Sequence, residues 1–133
     1  MRQRSAAIGA KLKQVDLFGP IRAQLQIKQK TVKYTPIDKL MDAFISLLAG
    51  AHGVVEINTR LRTDIGLQRA FGRSACAEQS VVQETLDACT ADNVGQLRQA
   101  LDEIYRSHSQ GFQHDYQARW QLLDVDLTGM PCG

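Results

Sequence analysis

Two aspartates near the end of the sequence, Asp124 and Asp126, stand where acidic side chains are least at home. They lie in the run Arg119-Trp120-Gln121-Leu122-Leu123-Asp124-Val125-Asp126-Leu127-Thr128, which is rich in apolar residues and bounded by Gly129 and Pro131. Such a run reads as a strand. Residues two apart on a strand point to the same face, so both carboxylates share one side. Burying an unpaired charge is costly, and an apolar strand carrying two needs a reason. One reason is a divalent cation: Mg²⁺ wants oxygen ligands and often takes one or two carboxylates. Two such ions can activate water or a hydroxyl and stabilise the leaving oxygen in phosphoryl transfer. The plainer reading puts both side chains at an exposed strand end, bonded to loop amides, and the pattern leaves the two open. An independent metal-dependent hydrolase would need more ligands and a supporting shell than these two residues supply.

A second set of residues suits polyanion binding. The first 34 residues carry Arg2, Arg4, Lys11, Lys13, Arg22, Lys28, Lys30 and Lys33 against Asp16 alone, whereas the remainder is net acidic. Basic arms bind phosphate backbones through counterion release; a solvated leader is the alternative use of the same charge. Farther on, short helices at about 54–61 and 64–71, followed by one at 77–89, suggest a trihelical, helix-turn-helix-like unit. In such units the last helix enters the major groove and its first outward side chains meet base edges. Gln79, Ser80 and Gln83 are the candidate readers, since Gln can pair bidentately with adenine and Ser can donate or accept. Arg69 and Arg73, just before them, are candidate phosphate clamps, with Lys28, Lys30 and Lys33 in the arm. Against this, the link between the last two helices is longer than a tight turn, and Glu84 and Asp87 face phosphate unfavourably. An ordinary helical bundle with a solvated polar face has the same pattern.

The elements that must position these residues read as mainly α. Residues 1–15 have weak periodicity and read as loose or partly helical. Pro20 opens a short helix to about Gln26, and residues 28–34 alternate polar and apolar as an extended connector. The clearest helix starts with Thr35 as N-cap, Pro36 in the first turn and Asp38 near the exposed amides. Its stripe is Ile37, Leu40, Met41, Phe44, Leu47 and Leu48. Gly72 closes the helix that carries Ile65, Leu67 and Phe71. Val81, Val82, Thr85, Leu86 and Cys89 form the inner face of the helix at 77–89. Thr90 caps a long helix to about Ser109 with the stripe Val94, Leu97, Leu101, Ile104 and Tyr105. Residues 110–118 are polar and ambiguous. The expected organisation is a basic arm and short helix over 1–34, a helical domain over 35–110, and the start of another domain over 111–133.

Composition narrows the class. Hydrophobic residues make up 44% and charged residues 23%, which is the balance of an ordinary globular domain rather than a disordered or membrane chain. There is no apolar run of membrane-span or signal-peptide length, so a cytoplasmic protein is the default. Cys76, Cys89 and Cys132, with His52, His108 and His114, lack the paired close spacings of a disulfide framework or a zinc site.

The run Leu123-Asp124-Val125-Asp126-Leu127-Thr128-Gly129-Met130-Pro131, after its Trp-bearing lead-in, resembles the first core strand of DDE transposases from bacterial insertion sequences. Lys30-Thr31-Val32-Lys33-Tyr34-Thr35-Pro36, Leu47-Leu48-Ala49-Gly50, Ile57-Asn58-Thr59-Arg60-Leu61, Ala70-Phe71-Gly72 and Gln79-Ser80-Val81-Val82 continue the likeness in order, over roughly residues 25–133. The resemblance implies a helical DNA-binding region followed by the first strand of an incomplete ribonuclease-H-like domain. It implies that Asp126, followed by Leu127-Thr128, is the first aspartate of the catalytic triad, with Asp124 the secondary candidate. It further implies Mg²⁺ or Mn²⁺ as cofactor in the intact family, DNA element ends as partner, and cleavage followed by strand transfer as activity. The family's second aspartate and its glutamate lie far downstream and have no counterpart here. The expectation is therefore a truncated transposase without catalytic activity by itself, able to bind element ends and to associate with itself or with an intact relative. The alternative is a small helical DNA-binding transcription regulator.

Overall fold

The computed structural model describes residues 2–122. Among these the chain is helical, with no strand: α1 (Arg2–Gln14), α2 (Gly19–Gln24), α3 (Pro36–Leu48), a 3₁₀ turn at Val54–Glu56 running into α4 (Ile57–Arg60), α5 (Ile65–Ala70), α6 (Gln79–Asp87), α7 (Ala91–His108) and α8 (Gln110–Gln113). The expected strand falls largely outside the described residues, as do Asp124 and Asp126; its first residues, 119–122, are exposed and irregular. No helix among the described residues is long and apolar enough to cross a membrane.

α3 is the centre of the molecule. Its start matches the sequence pattern: Thr35 Oγ1 accepts from the Asp38 amide and Asp38 Oδ2 from the Thr35 amide, both at 3.1 Å. This reciprocal cap satisfies two of the amides that a helix start leaves without partners. The buried face is rotated from the one the apolar stripe predicts. Lys39, Asp42, Ile45 and Ser46 are buried, while Leu47 and Leu48 at the end of the stripe are exposed. The reason is that α3 is covered on more than one side. α6 and the Val54–Ile57 segment pack on the Asp42/Ile45 face, and Phe44 meets Phe18 edge-on at 5.0 Å from the other. Ile45, Ile57, Leu61 and Val82 are fully buried, with Leu67, Phe71, Cys76 and Ala77 around them. Burying each such aliphatic side chain contributes about 1.5–3 kcal/mol.

Residues 2–14 form a more regular helix than their weak periodicity predicts, because α1 docks on α5. Gly9 makes this possible: a Cβ there would lie 2.6 Å from Phe71 Cδ2. The contact therefore depends on a missing side chain, which hydrophobic periodicity does not register. α2 packs along α7, so contacts cross the boundary at residue 34. Gln24 Nε2 reaches Glu103 at 2.6 Å, and the Gln26 amide reaches Gln96 Oε1 at 2.9 Å.

α7 begins as its sequence predicts, with Thr90 and Asn93 forming a second reciprocal cap. Its inner face is only partly the predicted stripe. Asn93 and Ala100 are buried and Leu97 and Ile104 half-buried, but Val94, Leu101 and Tyr105 are exposed. α8 turns back so that Phe112 meets Tyr105 edge-on at 5.8 Å.

Candidate nucleic-acid interface

The connector between α2 and α3 does not keep the alternation expected over residues 28–34, since its apolar Val32 is 86% exposed. Leu25 and Ile27 are buried, and Lys28 and Lys30 are exposed. Gln29 fastens it: its Oε1 accepts from Thr85 Oγ1 of α6 at 2.6 Å and from Lys39 Nζ of α3 at 3.2 Å. A side-chain carbonyl has two acceptor sites, and both are used. The basic connector thus lies beside α6 by specific bonds, not by charge alone. Lys33 lies in the bend at residues 32–34, its Nζ 5.3 Å from the Tyr34 ring centroid.

α6 starts two residues later than the sequence suggests. Glu78 gives no side-chain cap; instead Asn58 Oδ1, from α4, accepts from the Gln79 amide at 3.2 Å. Asn58 also accepts from Arg62 Nη1 at 3.3 Å, so one amide oxygen fixes both the α6 start and a cation beside it. On α6, Ser80 and Gln83 are exposed and Gln79 is half-buried. Gln83 Nε2 donates to Asp87 within the helix at 2.8 Å. Val82 and Thr85 face inward.

The helical trio is not the compact arrangement that the sequence suggests. α6 packs mainly on α3 and the Val54–Glu56 turn, and α5 mainly on α1. The two candidate clamps on either side of the α5 end also part company. Arg69 is exposed on α5. Arg73, expected to hold phosphate, is buried and committed elsewhere. Its Nε and Nη2 donate to Asp42 at 2.8 and 3.2 Å, and its Nη1 pairs with Asp38 at 3.0 Å. Burial opposes the Arg73 charge, but the Asp42 hydrogen bonds and the two carboxylates outweigh it and raise its pKa. Asp42, fully buried, also accepts from the Ala77 amide at 2.8 Å. Arg73 therefore ties the loop before α6 to α3 and cannot serve as a surface clamp. The same pocket of structure holds Cys76, whose thiol burial and the Asp42 charge push up to about 12.

Between the connector and α6 lies a cleft of about 440 Å³. Lys30, Lys33 and Tyr34 form one wall and Glu78, Val81 and Glu84 of α6 the other, with Lys39 and Arg62 also lining it. Lys28 opens to a neighbouring hollow at the α6–α7 junction. Of the residues expected to contact DNA, the structure brings Lys30 and Lys33 together at this cleft; Ser80 and Gln83 are exposed on α6 but do not line it. Lys39, Asn58 and Arg62 were not singled out by the sequence. An Asn preceding a basic pair, Asn58-Thr59-Arg60-Leu61-Arg62, was the only available signal.

This arrangement offers a cleft lined by four cations and two carboxylates, which can hold an anionic group, with Ser80 and Gln83 exposed elsewhere on the same helix. Among the described residues no three His, Cys, Asp or Glu side chains converge to hold a metal. The carboxylates to which the transposase resemblance assigns that role, Asp126 and Asp124, lie outside the described residues. Compared with protein-family models, curated proteins and solved structures, the chain matches none.

Proposed function

We propose that this chain is the helical DNA-binding region of a DDE-type transposase, and that by itself it binds DNA without cutting it. The observation that carries the DNA-binding part is the connector held against α6: Gln29 bonds Thr85 and Lys39, and Lys30, Lys33, Lys39 and Arg62 line the cleft between connector and helix. Phosphate contacts from the cations fix register, and the α6 side chains supply base contacts. The transposase part rests on the ordered sequence resemblance that ends at Asp126. On this reading the chain occupies element ends, alone or with an intact relative, and Mg²⁺ or Mn²⁺ belongs to the complete catalytic triad rather than to the helical body.

A gel-shift titration tests the reading, using duplexes with the inverted-repeat ends that flank its coding sequence and scrambled duplexes of equal length. Tighter binding to the ends is expected, with Ser80→Ala and Gln83→Ala each reducing the preference by about 1–3 kcal/mol if they read bases. Equal affinity for both duplexes would sink the element-end assignment. The second reading, a helical regulator, is favoured by one observation: the described helices bury a core without any strand. It predicts that Asp126→Asn leaves every property unchanged, including in complexes with an intact relative.

A further inference from the structure

Lys39 is 5% exposed, yet no carboxylate pairs with it among the described residues. Its Nζ carries three donors, and the structure gives it a single hydrogen bond, to Gln29 Oε1 at 3.2 Å. Buried charges are ordinarily paired, because an ammonium removed from water without counter-charge is costly. Its neighbours do not relieve it. Asp38 and Asp42, on the same helix, are both engaged by Arg73. Gln29 is shared with Thr85.

Lys39 lines the cleft between the connector and α6, and so do three more cations, Lys30, Lys33 and Arg62. None of the three forms an ion pair among the described residues. Two carboxylates, Glu78 and Glu84, stand on the α6 wall. Four cations on the connector, α3 and the α4 end thus face a cleft with two carboxylates confined to one side. A ligand with an anionic end toward Lys39 and hydrogen-bond donors toward α6 fits this polarity. A nucleotide unit has both, since its phosphate takes the cations and a cytosine amino group can donate to Glu.

We infer that the cleft is a phosphodiester-binding site with Lys39 at its floor and Arg62 and Lys30 at its rim, and that it seats one backbone phosphate of bound DNA. This rests on the DNA-binding reading above, and it adds Lys39 and Arg62 to the contact set. Asn58 positions Arg62 through the 3.3 Å bond, so the rim cation is oriented before ligand arrives.

The test uses the full chain and its Lys39→Gln and Arg62→Gln variants, with thermal melts as the folding check; Arg62 is exposed, so its variant tests the site even if Lys39→Gln folds poorly. Binding to a fluorescein-labelled duplex is measured from low to moderate salt, and inorganic phosphate is titrated into labelled protein by amide NMR. Each phosphate contact contributes about 0.9 to the slope of log K against log salt, so each variant is expected to flatten the slope by about one unit. Unchanged slopes together with phosphate shifts at Gln29, Lys39 and Arg62 assign the site to a free phosphate and overturn the DNA assignment. Unchanged slopes with no phosphate shifts overturn the site altogether. A wild-type chain that binds no duplex overturns the DNA-binding reading itself, and with it the seat for a DNA phosphate.

Discussion

Around α3 polar side chains are inside; along the outer half of α7 apolar ones are outside. Asp42 is fully buried and satisfied by Arg73 and the Ala77 amide. Leu101 and Tyr105, by contrast, are 57% and 53% exposed on a helix whose start is as well capped as that of α3. The two helices look alike as sequence patterns, each with a reciprocal cap and an apolar stripe. They differ in what covers them. α3 is enclosed on several sides and can lodge an ion pair, because both carboxylate oxygens of Asp42 find donors there. α7 is covered by α2 and the connector as far as Glu103, and among the described residues the short α8 packs beyond that point. Capping thus decides where a helix begins, and neighbours decide which of its residues are core.

The comparison breaks most sharply at the ion pair. Asp42→Ala is expected to cost about 3–5 kcal/mol in urea unfolding, since it leaves the Arg73 charge buried without its main partner. Replacing both, as Asp42→Leu with Arg73→Met, should cost far less than the two single changes combined. A fully additive result would mean that the pair is not coupled. Next comes alkaline pH. The Cys76 thiol is raised in the folded state from an ordinary 9.0 to about 12, chiefly by burial and then by the Asp42 charge. The unfolded chain therefore loses this proton first. The resulting stability is intact below pH 9 and declines as pH rises toward 12. Cys76→Ala should flatten that alkaline decline relative to the wild type in a pH series of thermal melts. A smaller effect is expected at the α7 cap, where Thr90→Ala should cost about 1 kcal/mol. Smallest is Leu101→Ser, which should change stability by less than about 0.5 kcal/mol because the side chain is mostly in water. A larger loss that grows with protein concentration would show that α7 is covered by a second molecule.

Much of this was legible in the sequence for a simple reason: caps are local. Thr35-Pro36-Ile37-Asp38 and Thr90-Ala91-Asp92-Asn93 each contain both partners of a bond, so the starts of α3 and α7 could be read directly. What could not be read depends on residues distant in the chain. Arg73 looked like a surface cation because its partner is 31 positions away. Asp38 and Asp42 did carry a hint: like charges four apart on one helix face repel unless a cation bridges them. Lys39 reads as a solvated lysine until Gln29 and the cleft close over it. The docking of α1 was not legible because it packs through a glycine, although the segment read as partly helical. Asp126, on which the catalytic expectation depends, lies outside the described residues, so that expectation stays with the sequence.

The eighteen residues of α7 give it a length of about 27 Å at about 1.5 Å per residue. Anchored at one end by Asn93 and Gln96 to the connector, it sets the distance and the rotational phase of what its far end carries. Inserting one residue after Ile104 would advance everything beyond it by about 1.5 Å and swing it by about 100° around the helix axis. α8, which follows at Gln110–Gln113, is therefore aimed as well as held at a distance, and an insertion of a whole turn should be tolerated better than one of half a turn.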